Sequence, residues 1–360
     1  RRLVRIHDRR SGEVRGTAAW LARLPSFMHH HVALEDQIDI DSLVRFLCGR
    51  AIGFVASGGG SFGTAHAGLY KAFRERGVMF DIFVGTSVGS AMAAGFAKNL
   101  EAEDLERGTH EIFVKGRSFR RPTWPRYSLL DHKVFDRALA EQYGRECRLE
   151  DCWRPFAAVA TNLSTHGIEL IRSGLVWEAV RASSAIPGLL PPFYTRDGAM
   201  LVDGCLIDNV PLGPMHQLKS GPNVVVHFGE PSIVTFDVDY SALPGRFELL
   251  ASLLMPFRKK LLPQAPSAVN VLWRSLVAHQ RYDILPTTPL DMVMRPPIPP
   301  DIDVTDFDRH SDIFAASYLW AKNTIAALEA EGSPALEAIL SSGKPPARRS
   351  RSSVAFQNRR

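Results

Sequence analysis

Residues 53–73, GFVASGGGSFGTAHAGLYKAF, decide how this chain folds. An apolar run ends at Ser57, three glycines follow, a fourth stands at Gly63, and the pattern then becomes helical to about Arg76. Strand, glycine turn and helix in that order predict an α/β protein. Gly58, Gly60 and Gly63 also satisfy G-x-G-x-x-G. By itself that pattern fits either a resident nucleotide phosphate or a negative charge that exists only in a transition state.

The next strand, FDIFVG at 80–85, separates these readings. A dinucleotide site needs an acidic residue at the far end of its second strand, and Asp81 stands at the near end. A phosphate-binding P-loop needs Gly-Lys-Ser/Thr after the glycines, and none follows. At the far end stands GTSVG, 85–89, a G-x-S-x-G between a predicted strand and a predicted helix. In that context the pentapeptide reads as a nucleophile elbow, a sharp turn that exposes the Ser87 hydroxyl at the carboxyl edge of a sheet. If the two strands are parallel neighbours, both loops meet at one rim. The backbone N–H groups of Gly58, Gly59 and Gly60, at a helix N-terminus, then suit a developing oxyanion.

A serine nucleophile needs a base. His216 or His227 with Asp203 would complete a Ser, Asp, His order. AMLVDGCLIDNVPL, 199–212, offers another route, because Asp203 ends a predicted strand and Gly204 lets a partner approach closely. That carboxylate could take the proton itself. On the residues alone, both routes stay open.

The rest of the chain is organised around these motifs. Residues 1–49 read as a lead-in, with a turn at 20–24, a packed loop at Pro25–His31 that includes three consecutive histidines, and a helix carrying Ile38, Leu43, Phe46 and Leu47. Residues 50–230 form the α/β core, with further strands expected at FAAVATNL (156–163), IELIRSG (168–174), AMLVDG (199–204) and NVVVHFG (223–229). Beyond Glu230 proline becomes dense and the sheet pattern fades. Residues 231–342 are therefore expected as a helical, proline-rich extension packed on the core, ending in a helix at 312–331. Within it RFELLASLLMPFRKKLLP, 246–263, is apolar and then basic, which fits either a membrane-surface helix or a core or lid helix.

Composition narrows the class. With 45% hydrophobic and 22% charged residues over 360 positions, the chain has ample material for a core. Its net charge of +5 is not a nucleic-acid footprint, because six basic residues and no acid lie in the tail from Gly343 to Arg360, leaving about −1 for the remainder. That tail is expected to be disordered. Four cysteines without C-x-x-C spacing fit a reducing, cytoplasmic compartment, and no run is long enough to span a membrane.

SGGGSFG, GTSVG and DGCLIDNVP, in this order, resemble the patatin-like phospholipases, whose pattern is G-G-G-x-[R/K]-G, G-x-S-x-G and D-G-[G/A]. GTAAWLARLP, MHHHVAL, GRAIGFVASGGG, SSAIPGLLPP and LVDGCLIDNVPL extend the likeness to the neuropathy target esterase branch over roughly Arg15 to Gly229. The resemblance implies a three-layer α/β/α fold with a mostly parallel sheet. It also implies a serine esterase for lysophospholipid and phospholipid acyl esters, peripheral at a membrane, with neither metal nor organic cofactor. Ser87 is the implied nucleophile, Asp203 its base and the glycine loop the oxyanion site, with Gly63, Gly85, Gly89 and Gly204 as motif glycines. Members of this branch commonly carry upstream cyclic-nucleotide-binding-like modules, so the chain is expected to be a fragment. Two departures stand out: Phe62 replaces the usual Arg or Lys, and Cys205 replaces Gly or Ala. The first opens an alternative, a lipid-binding or regulatory module with weakened chemistry. Ser183, Ser184, Leu189, Leu190 and Phe193 are candidates for an acyl channel.

Overall fold

The computed structural model describes residues 1–10, 14–229, 235–254, 263, 265–266, 271, 275, 285–299 and 301–343. The chain begins with two parallel strands, β1 (Arg2–His7) and β2 (Met28–Ala33), joined through a helix α1 (Thr17–Arg23). Where the sequence predicted a loop, the histidines therefore lie on a strand. Three identical residues in a row carry no inside–outside alternation, and the pairing partner is more than twenty residues away, so neither signal is local. His31 bonds His7 across the pair at 3.1 Å and the carbonyl of Glu150 at 2.9 Å, while His30 packs on Phe46. Burial lowers His30 and His31 to pKa values of about 3 and about 4, so both rings are neutral.

Helix α2 (Gln37–Leu47) starts at Asp36, whose carboxylate accepts the Ile38 N–H at 2.9 Å. It delivers the chain to β3 (Gly53–Ala56), followed by α3 (Thr64–Glu75), β4 (Ile82–Thr86) and α4 (Val88–Ala97). Arg45 of α2 grips the buried Asp81 carboxylate with two hydrogen bonds of 2.8 and 2.7 Å, and the Ile52 N–H adds a third at 2.8 Å. Asp81 thus fastens the amino ends of β3 and β4 to the lead-in, away from the glycine turn at their carboxyl ends.

After α5 (Ala102–Thr109) and α6 (Lys133–Tyr143) come β5 (Phe156–Asn162), β6 (Gly167–Ile171), α7 (Val176–Ser183), β7 (Phe193–Tyr194), β8 (Met200–Asp203), α8 (Leu212–Leu218) and β9 (Asn223–Val226). Among the described residues the main sheet runs β10-β9-β3-β4-β5-β8-β7, where β10 is Asp291–Met294, and β6 takes the other edge of β5. The strands from β10 to β5 are parallel, and β6, β7 and β8 are antiparallel to their neighbours. Strand β10 lies in the region where no sheet was expected. It is a four-residue edge strand whose character comes from lying beside β9 in space.

Alternate residues of the central strands point into two cores, as a sheet covered on both faces requires. Phe54 and Phe83 face α3 and α4 with Leu69, Phe73 and Phe96, while Val55, Ile82 and Val84 face Phe46, Leu212 and Met215. The result is the three-layer α/β/α arrangement with a mostly parallel sheet. Helix α9 (Arg246–Leu254) exposes Phe247 and Leu250. The rest of the apolar–basic stretch at 255–262 and the basic tail from 344 onward lie outside the described residues. Helices His310–Ala330 and Pro334–Gly343 close the described part. Among the described residues, no helix is long and apolar enough to cross a membrane.

Candidate active site

Strand β5 brings the two chief candidate residues together. Its Val159 pairs with Thr86, the last residue of the parallel β4, and its next residue, Ala160, pairs with Asp203, the last residue of the antiparallel β8. Two strands running in opposite directions thus end against each other on one edge of β5. Ser87 follows Thr86 directly, and its Oγ donates a 2.7 Å hydrogen bond to Asp203 Oδ2.

Ser87 sits at φ 54° and ψ −128°, a conformation that a residue with a side chain reaches only under strain. Its flanking glycines make the turn possible. A Cβ on Gly85 would lie 2.4 Å from the Gly89 carbonyl oxygen, and one on Gly89 would lie 2.2 Å from that of Ala56. The elbow is also held from behind. The Ser87 N–H donates to Ser183 Oγ at 2.8 Å, and Ser183 in turn donates to the Val159 carbonyl at 2.6 Å. Ser90 closes the turn by donating to the Ser87 carbonyl at 2.6 Å.

Asp203 is fully buried, and its second oxygen accepts the Cys205 N–H at 2.9 Å. Burial raises its pKa to about 6, and the hydrogen bonds from Cys205 and Ser87 only partly oppose that rise. It is therefore mostly ionised near neutral pH yet basic enough to take a proton. Burial, and then the neighbouring Asp203 charge, push the Cys205 thiol well above its ordinary value, so it stays protonated. Asp208, mostly buried nearby in sequence, is likewise raised to about 6.

The histidines that sequence reasoning kept as alternative bases lie elsewhere. His216 bonds Asp291 at 3.0 Å beside β10, and Arg295 donates to His227 Nδ1 at 3.4 Å. His66, buried and lowered to about 4, hydrogen-bonds the Gly63 carbonyl at 3.1 Å.

The glycine loop lies directly against the elbow, since a Cβ on Gly58 would stand 3.2 Å from Ser87 Cβ. Gly58 donates its N–H to the Asn209 carbonyl at 3.1 Å, so that amide is already engaged. Among the described residues the amides of Gly59 and Gly60 meet no hydrogen-bond acceptor, and Gly60 shares a cavity with Ser87. Phe62 points into an apolar cluster with Phe228, Ile302 and Ile313, and its ring meets Phe228 edge-on at 5.7 Å. Phe228 covers Gly59, where a Cβ would lie 2.5 Å from its ring. Apolar packing braces this side of the loop.

From Ser87 a narrow cavity of about 50 Å³ runs between α4, α5 and α6, lined by groups such as Met92, Leu105, Ile112, Phe119, Leu139 and Phe307. Of the residues expected to line an acyl channel, Ser184 lines this cavity. Ser183 instead holds the elbow, Leu189 and Leu190 pack in the main core, and Phe193 joins a separate cluster with Leu201. Sequence reading did not single out the walls of this cavity because α5 and α6 carry no motif, and their apolar faces read as ordinary core. Asn209 was also missed, although it lies within DGCLIDNVP.

A family model described as patatin-like phospholipase matches residues 54–216. The chain is 31% identical over 299 residues to the lysophospholipases nte1 of Aspergillus niger and Aspergillus fumigatus, an alignment covering 82% of this chain and 19% of each relative. The lysophospholipase NTE1 of Coccidioides immitis is 30% identical over the same shares. The chain thus spans about a fifth of the length of these relatives. A crystal structure of VipD from Legionella pneumophila superposes with a TM-score of 0.36 at 11% identity, over 76% of this chain and 67% of that one. Residues 54–216, which hold the glycine loop, Ser87 and Asp203, therefore form a patatin-like phospholipase domain.

Proposed function

We propose that this domain is a serine esterase that hydrolyses acyl esters of lysophospholipids or phospholipids. The hydrogen bond between the strained Ser87 hydroxyl and the buried Asp203 carboxylate carries the reading. Ser87 Oγ attacks the ester carbonyl carbon while its proton passes to Asp203 Oδ2. The carbonyl oxygen becomes an oxyanion held by the glycine loop. Because Gly58 is engaged with Asn209, the amides of Gly59 and Gly60 are the donors we assign to it. The intermediate collapses as the C–O bond to the glycerol oxygen breaks, and Asp203 returns the proton to that oxygen. The acyl carbons next to the new Ser87 ester lie at the mouth of the apolar cavity, whose about 50 Å³ must widen to take the rest of the chain. Water then attacks the acyl carbon and gives a proton to Asp203; the acyl C–Oγ bond breaks, Asp203 passes that proton to Ser87 Oγ, and the fatty acid leaves.

Such substrates reside in bilayers, so the enzyme would work as a peripheral membrane protein. The relatives named lysophospholipase support this substrate class. A second reading, a lipid-binding module with weakened chemistry, is motivated by Phe62. The packed Phe62–Phe228 contact argues against it, because it supplies the glycine loop with a support that needs no cation.

The test is fatty-acid release from lysophosphatidylcholine by the wild-type chain, Ser87→Ala and Asp203→Asn. Release by the wild type alone is expected, together with fluorophosphonate labelling that Ser87→Ala abolishes. Equal release from all three proteins overturns the proposal.

A further inference from the structure

Between the cavity wall and α6 the chain makes an excursion that the chemistry above does not use. Residues 117–127, RSFRRPTWPRY, carry four arginines and no acid. Phe119, inside this stretch, lines the Ser87 cavity, and Ser118 is tied to the Ile112 carbonyl at 2.7 Å. The chain then forms a narrow loop. Asp131 N–H bonds the Arg121 carbonyl at 2.9 Å, Thr123 N–H bonds the Leu129 carbonyl at 3.0 Å, and Pro122 and Leu130 face each other across it. Leu129 and Leu130 in turn donate to the carbonyls of Gly188 and Leu189, at 2.8 and 3.0 Å. The base is therefore fixed to the body next to the cavity wall.

Among the described residues nothing covers the tip. Every residue from Arg120 to Tyr127 is exposed, with Trp124 at 85% and Tyr127 at 74%. Large aromatic rings held out on an ordered tip have a physical use where water gives way to lipid headgroups, since their amphipathic rings partition there. The charges match such a surface. Arg120 is paired with Asp308, whereas among the described residues Arg121 bonds the Gly116 carbonyl and no carboxylate, and Arg126 lies over the Tyr127 ring at 5.3 Å. Arg117 is exposed on the same loop.

Resting on the esterase reading, we propose that residues 117–127 form the element that docks this domain on an anionic phospholipid bilayer. Trp124 and Tyr127 enter the headgroup region, and Arg117, Arg121 and Arg126 contact lipid phosphates and carboxylates. Docking there sets the cavity wall at Phe119 against the bilayer, so that an acyl chain can pass into the cavity without crossing water.

The experiment is vesicle co-sedimentation of the Ser87→Ala chain, which reads binding independently of turnover. Phosphatidylcholine vesicles are used with and without phosphatidylserine. Binding is expected to require phosphatidylserine. Each arginine near an anionic surface is worth about fivefold in binding, so R117Q/R121Q/R126Q in the same background is expected to weaken it by roughly a hundredfold. W124A/Y127A is expected to weaken it on the order of tenfold, and both sets should unfold at the parent temperature. Equal binding with and without phosphatidylserine, parent-like binding by either set, or no vesicle binding by the parent overturns the proposal.

Discussion

Gly58 and Asn209 lock two loops together. The Gly58 N–H bonds the Asn209 carbonyl at 3.1 Å, and the Asn209 Oδ1 fills the space beside the Gly58 Cα, where a Cβ would lie only 2.4 Å away. The loop after Asp203 therefore sets the position of the glycine loop over Ser87. Gly58→Ala is expected to lower kcat by about 10²- to 10³-fold, the scale of a lost oxyanion interaction. Asn209→Ala makes room for the added methyl. The double variant should then lose less than the product of the two single effects, a coupling that steady-state kinetics measures directly.

Ser183 accepts the Ser87 N–H and donates to Val159. Its replacement by alanine leaves a buried amide and a buried carbonyl without partners. A stability loss of about 1–3 kcal/mol is expected, and kcat should fall more than KM rises, because the elbow is loosened rather than the lipid site. Thermal unfolding and kinetics on one preparation check both. Unchanged values in the two assays remove the assigned role.

Asp203 sets the pH dependence. Its folded pKa of about 6 lies above the ordinary carboxylate value because burial disfavours the charge. As base it must be ionised, so kcat/KM should rise about tenfold per pH unit below 6 and level off above it. Asp208 titrates in the same range, and Asp208→Asn is expected to leave that limb in place. Stability runs the other way. Between about pH 4 and 6 the folded chain binds a proton that the unfolded chain releases, so this group's contribution falls as pH rises through that window. Asp203→Asn should thus be inactive yet more stable at pH 7, by about 2–3 kcal/mol, with the gain gone below pH 4. Denaturant titrations at the two pH values decide it.

Phe62→Arg restores the residue type usual in the family. In this chain it would put a guanidinium among Phe228, Ile302 and Ile313. The expected outcome is a lower melting temperature, equivalent to about 1–2 kcal/mol, with no rise in turnover. A sharp increase in fatty-acid release would instead favour the weakened-module reading.

By itself the sequence determined the local units: strand, glycine turn and helix at 53–73, the Ser87 elbow between its two glycines, and Asp203 at a strand end. These were legible because steric demand on a turn is written in adjacent residues. Tertiary structure alone decided what those units meet. Consecutive residues of β5 place Ser87 against Asp203 and leave His216 with Asp291 and His227 with Arg295. The β2 histidines and the β10 edge strand became strands only through partners distant along the chain. The cavity walls, the Gly58–Asn209 lock and the packing of Phe62 follow the same rule, because contacts between segments far apart in sequence depend on the folded path and leave no periodic trace in any one of them.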